Sequence, residues 1–331
     1  MDDGASEFFI SNCLIVGSGS IAEKHIKTCQ TCLSNVRIYQ VPSRETTSLA
    51  QISGVNRAET IDSVLVNIKL DFVIICSPAS HHAYHIKLIL DKNRIPILVE
   101  KPLSDSLEKL VNVAEADKDL IRVAYCLRYL PVVSAFRSYL NKNIRDTGIK
   151  KVVVTCLSNV KKWRDKFFLN TVSARRELGG GVLRELSHEI DLITWLFNVP
   201  EIIETHDIKH SIPEIDVETA TRFSFYYRHG LIVEFNLDFG SAREVREVRV
   251  ETHDASRILL DVNKRQLEIE GEIRPVVDKD TYATQLELFV GITGGHDDAL
   301  CSFRQAEIVL SLIEKVEKSY RERRRIYYVD R

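Results

Sequence analysis

The stretch Cys13-Leu14-Ile15-Val16-Gly17-Ser18-Gly19-Ser20-Ile21-Ala22 constrains this chain more than any other. A short apolar run leads straight into G-x-G-x-x-A, and an amphipathic stretch follows. In that setting each small residue has its own duty. Gly17 permits a tight turn after a strand, Gly19 lets the backbone approach a pyrophosphate, and Ala22 allows a helix to pack closely on the strand. The helix start then offers free N–H groups and a positive dipole end to an anion. Gly17, Ser18, Gly19, Ser20 and Ile21 are therefore the expected cradle of a dinucleotide.

The first 126 residues continue in the same alternating pattern. Runs at 36–41, 72–76, 95–99 and 122–126 are short and rich in β-formers, and stretches at 83–90 and 107–116 are amphipathic. Alternating β and α segments predict a parallel sheet covered on both faces, a doubly wound α/β Rossmann domain over residues 1–126. Beyond residue 127 the pattern changes. A strand is expected at 151–157 and a helix after Gly179, Gly180 and Gly181. Further strands are expected at 219–227, 231–239, 244–252, 257–261 and 266–270, and a long helix at 297–320. Residues 127–331 thus read as an α+β domain with a large, mostly antiparallel sheet, for substrate binding and oligomerisation. The last helix is free to pack back on the first domain.

Composition excludes several function classes. The formal net charge is −2 over 331 residues, so no general attraction to nucleic acid or anionic lipid follows. The basic run RERRR at 321–325 reads as a solvated helix end. No apolar run reaches membrane-spanning length, and the start MDDGASEFF lacks the basic region of a signal peptide. The seven cysteines are scattered, and Cys29-x-x-Cys32 has no second pair. The expectation is a cytoplasmic protein with no metal site, no nucleic-acid partner and no membrane partner.

Cofactor choice is read at the end of the second strand. NAD binders place an acid about 20 residues after the glycines, on the adenine ribose. Here the strand reads VRIYQVPSR and ends on Ser43 and Arg44, which can bond a 2′-phosphate, so NADP is favoured over NAD. Ser77, Pro78 and His82 follow the run at 72–76, Glu100-Lys101-Pro102 follows that at 95–99, and Arg128 follows that at 122–126. Doubly wound folds put ligands at such strand ends, so these residues are expected at the cofactor. Ser80 is a candidate helix cap.

Five segments carry a resemblance: GSGSIAEKH (17–25), SPASHH (77–82), VEKPLS (99–104), RYLP (128–131) and GGGVLRELSHEIDLITWLF (179–197). In order and spacing they resemble the glucose–fructose oxidoreductase/inositol dehydrogenase/MocA (Gfo/Idh/MocA) oxidoreductase family. The resemblance implies a nicotinamide cofactor on the first domain and a substrate pocket built largely by the second. It implies Lys101 near the reacting carbon, joined by His188, and assembly as a dimer or tetramer. Many members carry an acid four residues before that histidine; this chain has Arg184 there and Glu185 one residue later. Trp163-Arg164, Ser173-Ala174-Arg175 and SHEID resemble a branch associated with bacterial surface-sugar clusters.

On a helical wheel with His188 at zero, Leu183, Leu186, Ile190, Ile193 and Phe197 form an apolar stripe opposite. Glu185 and Asp191 fall about 60° to either side of His188, and Glu189 about 100° away, towards solvent. The expected chemistry is hydride transfer at a hydroxyl or keto carbon of a sugar, sugar derivative or cyclitol, phosphorylated and nucleotide-linked forms included. His188 suits a general base, with Glu185 or Asp191 orienting it. Lys101 can hold the substrate oxygen or carry the proton itself. Arg164 and Arg175, with Arg176, can meet an anionic sugar substituent or simply be solvated. The rival readings are a non-catalytic nucleotide or sugar sensor, and a redox-neutral glycosidase that borrows NAD.

Overall fold

A computed structural model describes residues 11–43, 52–144, 148–163, 169, 171–291 and 299–328. Six parallel strands form the first sheet: β1 (Asn12–Val16), β2 (Arg37–Val41), β3 (Val55–Arg57), β4 (Phe72–Ile75), β5 (Ile97–Val99) and β6 (Ile121–Val123). Helices α1 (Ser20–Cys32), α2 (Ile61–Asn67) and α3 (Ala79–Leu90) alternate with them. Residues 13–16 of β1 and 73–75 of β4 are wholly buried, as continuous apolar strands must be when both faces are covered. The strand order is β6-β5-β4-β1-β2-β3. Its direction reverses between β1 and β4, so a crevice opens beyond their C-terminal ends, where Gly17 and Ser77 stand.

The amphipathic stretch at 107–116 is not the expected α-helix. It forms two 3₁₀ turns, Glu108–Leu110 and Glu115–Leu120. Its inward residues, Leu107, Leu110 and Val113, recur every third position, which is the 3₁₀ period rather than the α period. Ser80 does not cap α3 either; Pro78 takes that place, and the Ser80 hydroxyl lies 3.2 Å from Nδ1 of His81.

Helix α4 (Pro131–Asn143) leads to the second layer. There β7 (Ile149–Asn159), a short α5 (Val160–Trp163), α6 (Val182–Glu185), α7 (Ser187–Phe197) and β8 (Ile202–Lys209) follow in turn. The chain continues through β9 (Ala220–Tyr226), β10 (Ile232–Asp238), β11 (Gly240–Thr252), β12 (Arg257–Asp261), β13 (Gln266–Ile269) and β14 (Glu272–Arg274). Last come α8 (Thr281–Val290), β15 (Cys301–Ser302), α9 (Phe303–Glu322) and β16 (Ile326–Tyr327). The second sheet has the order β14-β13-β12-β11-β7-β10-β9-β8-β16. All its pairs are antiparallel except β7 with β10.

Elements from beyond residue 127 return to the first layer. Helix α8 returns to α1, and its Leu286 and Phe289 enter the core around Ile26, Cys29 and Phe72. Strand β15 pairs antiparallel with β6 and covers what would be an open edge. Helix α9 begins at Phe303 behind a Ser302/Gln305 capping box; the expected start at Asp297 lies outside the described residues. It touches β6 at its start and packs along β8 and α7, so it spans both layers.

The expected continuous helix after the glycines is broken. Leu186, at φ −99° and ψ 27°, separates α6 from α7. The break resets the helical phase, so residues 182–185 do not keep the angles to His188 that one uninterrupted wheel gives them. No helix among the described residues is long and apolar enough to cross a membrane.

Candidate active site

A cavity of about 610 Å³ lies along the crevice. One end is the glycine turn. Ser18, Gly19, Ser20 and Ile21 line it, with Ser43, Ser77 and Pro78. Gly17 sits behind the lining at φ 139°, where a Cβ would come within 2.8 Å of the Cys76 carbonyl oxygen. Its task is therefore the close approach of β1 to the end of β4. Gly19 has ordinary backbone angles, but a Cβ there would meet nothing within 4 Å; the space in front of it is open. Helix α1 starts at that point with no side-chain cap, and its first internal bond runs from the Glu23 N–H to the Gly19 carbonyl at 3.2 Å. The earlier N–H groups are the ones a helix start leaves for an anion, so these residues fit a dinucleotide pyrophosphate.

At the other end stand Glu100, Lys101, Glu185 and His188. Lys101 Nζ donates to the Glu185 carbonyl oxygen at 3.1 Å and reaches its Oε2 at 3.3 Å. Glu100 Oε1 lies 2.9 Å from His25 Nε2, with both groups buried, and its Oε2 accepts from the Lys101 backbone N–H at 3.3 Å. Glu100 thus ties the end of β5 to α1, and the sequence did not single out His25 for this.

His188 faces the cavity, and the Tyr125 ring stands edge-on to it at 5.5 Å. Burial, with the charges of Arg246 and Lys101, holds its pKa well below the usual imidazole range. The ring is therefore neutral at neutral pH. Its Nδ1 is buried without a hydrogen-bond partner among the described residues. So neither expected orienter acts on it: Glu185 is engaged with Lys101, and Asp191 points elsewhere.

Asp191 is fully buried and bidentate with Arg128, accepting from Nη2 at 2.6 Å and Nε at 2.9 Å. Arg128 also donates to Gln305 Oε1 at 3.0 Å. Both were expected at the site, Asp191 as an orienter and Arg128 at the cofactor. Instead their ion pair joins the segment after β6 to α7 and α9, and neither lines the cavity. Glu189 was expected in solvent but is buried, accepting from Arg246 Nε of β11 at 2.6 Å. The break at Leu186 leaves the angles among His188, Glu189 and Asp191 unchanged, since all three lie on α7. Both acids are buried because α7 is enclosed by α9, the segment after β6 and Arg246 of β11. His82 is likewise behind the lining rather than on it. Its ring nitrogens lie 2.9 and 2.8 Å from the carbonyl oxygens of Pro102 and Ser77, so it braces two turns that line the cavity.

Arg184 donates from Nη1 to Glu317 Oε1 of α9 at 2.6 Å and from Nε to the Asp105 carbonyl at 3.0 Å. Arg175 is exposed beside the cavity, with Nε donating to the Leu169 carbonyl at 2.9 Å, and does not line it. Arg44 and Arg164 lie outside the described residues. Trp163, Val172, Ser173 and Gly179 add to the wall, and so does Tyr282 at the start of α8. Tyr282 stands edge-on to His25 at 5.4 Å, and no sequence spacing marks it. Arg246 does carry a signal: it continues the inward period of Val248 and Val250 on β11. Among the described residues no group of three or more His, Cys, Asp or Glu could hold a metal ion.

Residues 11–125 match the model of the Gfo/Idh/MocA group, described as an oxidoreductase family with an NAD-binding Rossmann fold. Inositol 2-dehydrogenase of Acidothermus cellulolyticus is 23% identical over 193 residues, 56% of this chain and 52% of that protein. Inositol 2-dehydrogenase 2 of Paenarthrobacter aurescens is 24% identical over 204 residues, 56% of this chain and 55% of that protein. The chain therefore spans about half the length of these relatives. Among solved structures, the WlbA dehydrogenase of Bordetella pertussis, in complex with NADH and UDP-GlcNAcA, has a TM-score of 0.79 at 14% identity. It covers 97% of this chain and 99% of its own. GenD2 from gentamicin A biosynthesis, in complex with NAD, has a TM-score of 0.80 at 16% identity, covering 100% and 99%. At such identities the likeness is one of fold, and it extends over both sheets.

Proposed function

We propose that this chain, whose N-terminal domain is that of the Gfo/Idh/MocA oxidoreductase family, is a dehydrogenase or reductase acting on a CH–OH group of a sugar, sugar derivative or cyclitol. One observation carries the reading: a single cavity joins the glycine turn to the Lys101–Glu185–His188 cluster. A bound nicotinamide would supply the hydride acceptor or donor. Lys101 Nζ, one of whose acceptors is a backbone carbonyl, can donate to the substrate oxygen and stabilise charge developing there. Neutral His188 can take the hydroxyl proton. Glu185, at the end of α6, holds the ammonium in place just before the break beyond which α7 presents the histidine.

NADPH is proposed as the preferred cofactor over NADH. Ser43 lines the cavity just past the end of β2, and the described residues from Gln40 to Ser43 include no acid to repel a 2′-phosphate. A homo-oligomer is proposed through the open face of the second sheet, whose outward residues include the Lys151–Glu234 pair.

The test is a fluorescence titration with NADH and NADPH, followed by turnover on free, phosphorylated and nucleotide-linked sugars and on inositols. Expected are micromolar cofactor binding, turnover on at least one substrate class, and a fall of roughly a hundredfold or more in kcat for Lys101→Met. Failure of both cofactors to bind overturns the reading. Arg44→Ala should weaken NADPH more than NADH, and equal effects remove the NADP preference.

A further inference from the structure

We infer that a second cavity, behind Tyr282 on the side of the second sheet, receives an anionic group of the substrate, a phosphate or a carboxylate; this rests on the oxidoreductase reading above. The cavity is about 580 Å³ and shares Lys24, Cys126 and Tyr282 with the first, so the two adjoin at these residues. Lys24, Arg246, Arg265 and Lys279 line it against two carboxylates, Asp278 and Asp280.

The carboxylates are already served. Asp278 pairs with Arg265 and accepts from the Lys279 backbone N–H at 3.0 Å. Asp280 caps α8, with Oδ1 accepting from the N–H groups of Tyr282 and Ala283 at 2.9 and 2.8 Å. Arg265 is held by Asp278, while Lys24 and Arg246 are short of acceptors among the described residues. Lys24 Nζ sits 3.9 Å from the centroid of the Tyr282 ring. Arg246 gives Nε to Glu189, while its Nη2 is buried without a partner among the described residues and 25% of its side chain is exposed. A guanidinium N–H without an acceptor is costly, and Arg246 lines the cavity, where an oxyanion can meet the exposed part of its side chain. Asn263 adds an amide to the same wall. Arg246 is also near enough for its charge to act on His188, so an oxyanion held there is tethered close to the proposed base. Guanidinium and ammonium groups around a partly enclosed space suit phosphate or carboxylate better than a neutral hydroxyl.

The experiment is calorimetry on the NADPH-saturated protein, with inorganic phosphate, pyrophosphate, a neutral hexose, a hexose phosphate and a hexuronate as probes. The expected result is binding of at least one anionic sugar roughly tenfold or more tighter than the neutral hexose, weakening steeply with salt. The charge reversal Lys279→Glu, at an exposed position away from the cofactor cavity, should weaken that sugar by roughly fivefold to tenfold and leave NADPH affinity unchanged. Tightest binding of the hexose phosphate identifies a phosphate, and of the hexuronate a carboxylate; either supports the inference. Neutral and anionic sugars binding alike, or Lys279→Glu leaving the anionic sugars unaffected, overturns it while the oxidoreductase reading stands. Wild-type protein that binds no nicotinamide cofactor overturns both.

Discussion

Replacing Asp191 by Asn separates a buried structural ion pair from a catalytic acid. The substitution keeps the side-chain volume and removes one charge. In the native protein the carboxylate meets the Arg128 guanidinium at 2.6 and 2.9 Å, with each side chain 1% exposed. Two unit charges about 4 Å apart attract by about 4 kcal/mol at an effective dielectric of about 20. Removing one partner of a buried pair costs roughly 3–5 kcal/mol, because the other charge is left without compensation. The two figures agree. A loss of that size should lower the melting temperature by on the order of 10 °C. The assay is urea unfolding followed by circular dichroism, with turnover measured well below the unfolding midpoint. A strongly lowered midpoint with kcat within a few-fold of wild type is expected. A variant within about 0.5 kcal/mol of wild-type stability whose kcat falls a hundredfold would refute the assignment and put Asp191 in the chemistry.

Two further predictions concern acid and the departure at residue 184. Burial pushes His85 down to about 3, so below pH 6.5 the unfolded chain takes up a proton that the folded one refuses. Stability should therefore be full above that pH and decline as pH falls, by roughly 1.4 kcal/mol from this residue between pH 7.5 and 5.5. Burial lowers His82 and His188 as well and adds to the same trend. Urea midpoints at the two pH values check this, and a His85→Asn variant that keeps the wild-type pH slope contradicts it. Arg184→Ala should cost about 1–3 kcal/mol by releasing Glu317 and the Asp105 carbonyl. Arg184→Glu, which installs the acid many relatives carry, should cost more, because Glu317 and Glu218 are near enough to act on that position. A midpoint for the Glu variant at or above that of the Ala variant rejects this account.

Much of the site could be read along the chain because its cues are local. The glycine turn, the apolar strands and the E-K-P turn depend on neighbours in sequence, and each marks the C-terminal end of a strand. Lys101 and His188 were legible only through motif order, since 87 positions separate them. The partners of the charged residues were not legible at all. Asp191, Glu189 and Arg184 each bond to a residue more than 50 positions away.

By itself, the sequence determined the parallel sheet, the phosphate turn and the residue types at the reacting end, since strand propensity, helix starts and turn chemistry act over a few residues. Only the tertiary structure decided what each charge does. Leu186 breaks the helix between Glu185 and His188, and α7 lies against α9, the segment after β6 and Arg246 of β11, so that Glu189 and Asp191 face inward. Burial then obliges each to find a guanidinium, because an unpaired charge in the interior costs more than the fold can spare. Glu185, on the other side of that break, goes to Lys101, and His188 is left neutral and facing the cavity.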